Sequence, residues 1–407
     1  MTKVLFVETS PSGVVGGSFL SLFELIRALD KTRYQPLVLF RHNHYLVDDF
    51  CAAGAEVFIY QEDAPPSTNG KSRGAKLKPY VWRILEAIKQ RRNVEIMLAT
   101  RRDSGFIANA LDIIQKHKVD LLHLNDGLTP SIPFIAVAPP AIPTVVHERK
   151  IRRYASRERR YLRRVNRIIC ISQAVAANLD AYFPNFSRTV ILPNPLSTRF
   201  KEPLITKSSL LKQLGLPEDA LLVIQVSNII NWKGQDILLE AMKTVSKNHA
   251  KSVLIFTGGT PLGEEAYEAK LRKMAKFNGL ENRVRFCGFQ EEVSSFYQAA
   301  DVLVHVPSYP EPFGRTVLEA MQLGKPMITS NSGGTAELVQ HGVTGLLVPP
   351  GDAKALASAL LSLLSDESLR QKLGTKAAKV AQERYSPQKI ARKIEAIYEE
   401  LIDGLRT

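Results

Sequence analysis

The stretch Ser308-Tyr309-Pro310-Glu311-Pro312-Phe313-Gly314-Arg315-Thr316-Val317-Leu318-Glu319-Ala320-Met321 decides how this chain is read. It follows the apolar run Val302–Val306, which has the length and composition of a buried strand. Gly314 permits a tight turn, and the spacing from Arg315 to Leu323 predicts a helix starting at once. A strand, a glycine turn and a helix in that order are half of a β-α-β unit, and the free amides at such a helix start form an anion site. Glu311 stands before the helix and Glu319 inside it, with seven residues between them. Carboxylates beside a phosphate site are poor phosphate ligands but good acceptors for sugar hydroxyls. From spacing alone, a solvated loop Glu and a surface helix Glu account for the pair equally well.

The same alternation extends in both directions. In the second half, strands are expected at Ala220–Ser227, Ser252–Gly258, Arg283–Cys287 and Pro326–Ser330. Helices are expected at Gln235–Asn248, Glu264–Asn278 and Val293–Ala299. In the first half, Val4–Glu8, Pro36–Phe40, Leu121–Leu124, Thr144–His147 and Ile168–Ser172 read as strands, and Ser18–Leu29 as a helix. The class is therefore α/β, with two doubly wound parallel sheets one after the other. At roughly 100–200 residues per domain, 407 residues suit two or three domains. The expected limits are 1–195 for an N-terminal domain, 196–385 for a C-terminal domain, and 386–407 for a last helix packing back towards the first. That helix opens at Ser386-Pro387 and carries the stripe Ile390, Ile394, Ile397, Tyr398 and Leu401. The proline-rich segment Pro184–Lys207 is the expected hinge.

With 45% hydrophobic and 23% charged residues, the composition excludes disorder, collagen and coiled coil. The cysteines Cys51, Cys170 and Cys287 are odd in number and far apart, which disfavours a disulfide framework and suits a reducing compartment. No apolar run reaches the roughly 18 residues that span a bilayer. The start shows no leader pattern, so a cytoplasmic protein is expected. The net charge of +14 is concentrated: Lys71–Arg102 carries +8 and Arg149–Arg167 carries +9, leaving about −3 for the rest. Arg149–Arg167 places Ile151, Tyr154, Tyr161, Leu162 and Val165 near one face of an expected helix. Such a helix could lie on an anionic membrane surface, bind a polyanionic acceptor, or simply pack on its own domain.

Three further sites bear on chemistry. Lys233, in Ser227-Asn228-Ile229-Ile230-Asn231-Trp232-Lys233-Gly234, sits at a strand-to-helix turn where it could neutralise a diphosphate, though a lone lysine is more commonly just solvated. Gly16-Gly17 follows the first strand and would let backbone approach a ligand closely; a plain loop is as good an account. It is not a G-x-G-x-x-G, so a nicotinamide fingerprint is not met. His147 closes a strand, where a histidine is more often structural, and His123 closes another.

The segment around Glu311 resembles the Glu-x7-Glu signature of retaining glycosyltransferases of the GT-B fold, family four (glycosyl transferases group 1), in its form E-P-F-G-x-x-x-x-E-A. The resemblance extends through Arg283–Asp352, including Phe286-Cys287-Gly288-Phe289 and Ser332-Gly333-Gly334, and more weakly over the whole chain. It implies two Rossmann-like domains facing a central crevice, the first binding acceptor and the second a nucleotide diphosphate sugar. By that resemblance Glu311, His147 and Lys233 are the catalytic candidates. Donor contacts would come from Gly16, Gly17, Asn228, Lys233, Phe289, Glu311, Phe313, Gly314, Arg315, Thr316, Val317 and Glu319. Glu311 would meet the sugar, Glu319 the ribose, and His147 the donor sugar. The family's phosphate-gripping Arg is replaced by Asn228, so Lys233 stands with one cation fewer; Arg315 is a second candidate for that role.

No Asp-x-Asp, G-x-x-x-x-G-K-[ST], H-E-x-x-H or G-x-S-x-G occurs. No cofactor and no essential metal are expected, the diphosphate being held by amides and Lys233. The expected partners are the nucleotide sugar and a glycan or lipid-linked acceptor at the cytoplasmic membrane face, with an anionic membrane as a further candidate and no nucleic acid. A sugar-nucleotide epimerase of the same fold and a basic nucleic-acid-binding protein are the rival readings. The epimerase would not need the E-P-F-G-x-x-x-x-E form, and the nucleic-acid binder leaves the carboxylate pair unexplained.

Overall fold

The computed structural model describes residues 1–10, 16–60, 103–198, 200 and 205–404. The basic segment Lys71–Arg102 lies outside them. The chain divides into two compact units: residues 1–171, 176–192 and 387–407 form one, and residues 172–175 and 193–386 the other.

The first unit is built on β1 (Thr2–Glu8), β2 (Tyr34–Phe40), β3 (Glu56–Ile59), β4 (Leu121–Leu124), β5 (Thr144–Glu148), β6 (Arg167–Cys170) and β7 (Thr189–Ile191). All pair in parallel in the order β3-β2-β1-β4-β5-β6-β7. The central strands are buried on both faces, and for that reason they are continuous apolar runs instead of alternating ones. The helix Gly17–Ala28 lays Leu22, Leu25 and Ile26 on this sheet. It ends where Asp30 folds its carboxylate back onto Thr32, accepting from the Thr32 amide at 2.9 Å.

The last helix, Pro387–Asp403, belongs to this unit. Ile390, Ile394, Ile397 and Tyr398 are buried in the same core as β1, β2 and the helix Gly17–Ala28. Polar contacts set its register: Glu395 Oε1 accepts the Asp30 amide at 2.8 Å, and the Tyr34 hydroxyl donates to Glu399 Oε1 at 3.1 Å.

The second unit repeats the plan with β8 (Leu221–Val226), β9 (Ser252–Thr257), β10 (Val284–Phe286), β11 (Val302–His305), β12 (Met327–Ser330) and β13 (Leu346–Val348). These too are all parallel, in the order β10-β9-β8-β11-β12-β13. Each sheet therefore reverses its winding once, between β1 and β4 and between β8 and β11. In doubly wound sheets, ligands bind outside the carboxyl ends of the strands at such a switch point.

The reading of Arg149–Arg167 as one amphipathic helix is corrected. The segment forms only a 3-10 turn, Ser156–Glu158, and a four-residue helix, Arg159–Leu162. Tyr154, Tyr161, Leu162 and Val165 are buried, with the Tyr154 ring 5.5 Å from Tyr182 and 5.3 Å from Phe183. Burying these side chains in the core of their own unit outweighs helical regularity. The arginines between them stay at the surface, including Arg153, Arg159, Arg160 and Arg163. Among the described residues, no helix is long and apolar enough to cross a membrane.

Candidate functional site

The second sheet's switch point is framed by the loops after β8 and β11. Gly234 has φ of 76° and caps the helix Gln235–Asn248. A Cβ there would come within 1.9 Å of the Val306 carbonyl oxygen, so only glycine lets the two loops close on each other. The Ser308 amide then donates to the Trp232 carbonyl at 2.9 Å, and Gln225 Nε2 to the Lys233 carbonyl at 2.8 Å. Lys233 is held from both sides, with its ammonium 4.1 Å from the Trp232 ring centroid.

Glu311 is placed just as firmly. The Gly334 amide donates to the Glu311 carbonyl at 2.7 Å. A Cβ on Gly334 would sit 2.4 Å from the Pro312 carbonyl oxygen, so Ser332-Gly333-Gly334 is a backbone clamp on the Glu311 loop. The Glu311 side chain is only 14% exposed. Lys233 Nζ donates to Oε1 at 2.8 Å, and His305 Nε2 lies against Oε2. Burial pushes this carboxyl up, but His305 and then Lys233 outweigh that and bring it down to about 2. Glu311 is thus a fixed carboxylate with both oxygens oriented.

His305 was missed in the sequence. It closes β11, is 1% exposed, and has its backbone oxygen bonded by Thr329 Oγ1 at 2.7 Å. The available signal was a polar residue ending an otherwise apolar strand, six residues before Glu311. Tyr297 was missed as well: fully buried, it donates to Glu319 Oε2 at 2.7 Å. Arg315 holds the other oxygen of Glu319 at 3.0 Å, so it is engaged inside its own helix.

The remaining expected donor residues fall as follows. Gly314 has φ of 92° and caps the helix Arg315–Gln322. Thr316 Oγ1 donates to the Val226 carbonyl at the end of β8, at 3.2 Å. The Phe313 ring is buried, 6.5 Å from that of Tyr385, which leaves its backbone in the loop. The Val317 side chain is core, and its amide is taken by the Gly314 carbonyl at 3.0 Å. Asn228 is exposed, with its carbonyl bonded by Gln235 Nε2 at 2.9 Å. Phe289 is 76% exposed, beside the loops joined by the Gly258 amide and the Gly288 carbonyl at 2.8 Å.

Gly16, Gly17 and His147 lie in the first unit. Gly16 precedes the helix Gly17–Ala28, and among the described residues a Cβ built on it meets nothing within 4 Å. His147 is the penultimate residue of β5 and is 4% exposed.

Two doubly wound parallel sheets, with a paired carboxylate and lysine at the second switch point, define a GT-B type of architecture. Two family descriptions account for nearly the whole chain: Glycosyltransferase Family 4 over residues 15–200 and Glycosyl transferases group 1 over residues 206–380. The chain belongs to the group 1, family four glycosyltransferases. It is 31% identical over 196 residues to the N-acetyl-alpha-D-glucosaminyl L-malate synthase of Bacillus anthracis, covering 48% of this chain and 49% of that one. It is 34% identical over 224 residues to the D-inositol 3-phosphate glycosyltransferase of Streptomyces bingchenggensis, covering 53% of this chain and 48% of that one. The matched part thus spans about half the length of these curated relatives. The crystal structure of Anabaena HepE in complex with UDP-glucose shares the fold, with a TM-score of 0.75 at 24% identity over 98% of this chain and 100% of that one.

Proposed function

We propose that this protein is a retaining glycosyltransferase that moves a sugar from a nucleotide diphosphate sugar to a glycan or lipid-linked acceptor. The observation that carries this reading is the Glu311 carboxylate, ionised and held on both oxygens by Lys233 and His305 at a switch point. Such a group accepts hydrogen bonds from sugar hydroxyls in a fixed direction. Lys233, beside Glu311, is the cation that would share its charge with a diphosphate. In the reaction, the bond from the anomeric carbon to the diphosphate breaks and the acceptor oxygen bonds the same carbon on the same face. The acceptor proton passes to the departing phosphate oxygen. The relatives' names support glycosyl transfer, and the UDP-glucose bound by HepE supports a nucleotide-sugar donor.

A thermal-shift panel of nucleotide sugars, followed by turnover with and without added acceptor, tests this reading. A donor at 100 times its Kd is expected to add about 2.7 kcal/mol of stability. Conversion of the donor to an epimer without acceptor would replace the transferase reading by the epimerase one. Stabilisation by no nucleotide sugar would remove both.

The reading includes work at the cytoplasmic face of a membrane, through the surface arginines of residues 149–167. Arg153, Arg159, Arg160 and Arg163 are exposed, and each basic residue near an anionic leaflet adds about 1 kcal/mol. The protein is expected to sediment with anionic vesicles at low salt and not with neutral ones. Replacing these four by Gln should abolish sedimentation and leave donor binding intact. Arg152 and Arg164 are left unchanged in that variant. Arg152 pairs with Glu148, and Arg164 bonds the carbonyls of Ala136 and Ala138. Wild-type protein that ignores anionic vesicles at low salt would refute the membrane part alone.

A further inference from the structure

Behind His147 the first unit contains a line of buried hydrogen-bonding groups to which the reading above gives no role. It starts in the last helix at Tyr398, 0% exposed, whose hydroxyl lies 2.6 Å from His123 Nδ1. His123 is the penultimate residue of β4 and is also 0% exposed. Its Nε2 lies 3.3 Å from Nδ1 of His147. The same His147 Nδ1 is 3.2 Å from Nη2 of Arg149. Arg149 is 8% exposed and is itself anchored on Asn125, with Nη2 donating to Oδ1 at 2.7 Å and Nε to the Asn125 carbonyl at 3.0 Å. The line ends at His147 Nε2, which is buried and has no hydrogen-bond partner among the described residues.

The direction of every bond follows from one fact. A guanidinium only donates, so His147 Nδ1 must accept from Arg149. A neutral His147 then carries its proton on Nε2. His123 Nε2 faces that same lone pair, so it must be the protonated nitrogen of His123, since two facing lone pairs repel. His123 Nδ1 is left as an acceptor, and the Tyr398 hydroxyl donates to it. The contacts at His147 Nδ1 are both long, as expected when two donors share one lone pair.

We propose that Tyr398, His123 and Arg149 are positioning residues that hold His147 as the Nε2–H tautomer, so that it offers a ligand oxygen a hydrogen-bond donor and does not act as a base. The protonation of the buried groups agrees with this. Burial, then Arg149, brings His123 down to about 3. Burial, then Arg149 and His123, takes His147 well below the ordinary histidine range. Burial keeps the Tyr398 phenol protonated far above the usual range. The last helix therefore has a second task beyond filling the core, because it supplies the group that commits His123 to one tautomer. The ligand oxygen is taken to be a donor-sugar hydroxyl, and that clause rests on the glycosyltransferase reading.

The test has two arms on the full chain. In the first, 15N spectra of histidine-labelled protein at pH 7, assigned with single His variants, should show His123 and His147 each protonated on Nε2 only. Tyr398→Phe should move the His123 Nδ1 resonance while the fold, monitored by circular dichroism, is kept. In the second arm, His147→Gln preserves a donor near the Nε2 position, and His147→Leu does not. Gln is expected to keep kcat within about threefold and Leu to lose about tenfold or more, as for one lost hydrogen bond. Tyr398→Phe should lower kcat by a few-fold and leave the donor KM unchanged. A His147 protonated on Nδ1, or doubly protonated at pH 7, would overturn the proposal, as would a Gln variant no more active than Leu. The spectra need no substrate. If no nucleotide sugar is turned over and the tautomers are as stated, the relay stands and only the functional reading falls.

Discussion

Glu311→Ala should cost catalysis far more than it costs nucleotide affinity. Its carboxylate is expected to meet the transferred sugar, whereas the nucleotide is held by other groups. A charged hydrogen bond contributes about 1.5–3 kcal/mol, so kcat/KM should fall by about 10- to 150-fold, with the Kd for the free nucleoside diphosphate nearly unchanged. Glu319→Ala should behave oppositely, because Glu319 is expected to reach the ribose and is set for it by Arg315 and Tyr297. An equal loss of diphosphate affinity in the Glu311 variant would remove Glu311 from the sugar.

The same residue has a signature in stability. The Glu311 carboxyl sits at about 2 against an ordinary 4.5. A group with a depressed folded-state pKa adds stability above its unfolded value and loses it as pH falls through the folded one. The Tm gap between wild type and Glu311→Gln should therefore be fully open above about pH 4.5 and close towards about pH 2. A gap that widens on acidification would mean that the pairing with His305 and Lys233 does not govern this carboxyl.

Lys233→Ala is expected to be nearly as damaging, and in a different quantity. Asn228 stands where the family places a second phosphate-binding cation, and Arg315 is engaged with Glu319. Lys233, although it also pairs with Glu311, is expected to carry the main side-chain charge on the diphosphate. Its loss should weaken nucleoside diphosphate binding by about 10- to 150-fold and nucleoside binding little, the span of one charged hydrogen bond. It should also raise the Glu311 carboxyl, since one of the two partners that hold it down is gone. Isothermal titration with nucleoside, monophosphate and diphosphate separates these contributions. If Arg315→Ala has the larger effect on diphosphate, Arg315 is the phosphate cation.

The α/β class, the strand–turn–helix positions around Glu311 and Lys233 and the apolar stripe of the last helix were all legible in the amino-acid sequence. The reason is local: apolar runs of strand length, glycines at positive φ and a period of 3.6 are written into neighbouring residues. Gln235–Asn248 was read to the residue because its cap, apolar face and end are all internal to it. The short edge strands β3 and β7 were not read, for four and three residues are too few to show a period and the strands form along a neighbour that offers hydrogen bonds. The helix Leu128–Val137 was obscured by Pro133 inside it, which the surrounding packing tolerates.

Sequence by itself thus determined which residue types stand at the strand ends and the Glu311–Glu319 spacing. Tertiary structure alone decided what those residues touch. His305 became a partner of Glu311, and Tyr297 of Glu319, because parallel pairing and loop closure bring them together. The apolar residues of 149–167 turned into the core because Tyr182 and Phe183 were there to receive Tyr154. Tyr398 reached His123 across 275 residues of chain. A hydrogen bond at that separation depends on two surfaces meeting after folding, and no pattern in either segment alone encodes its partner.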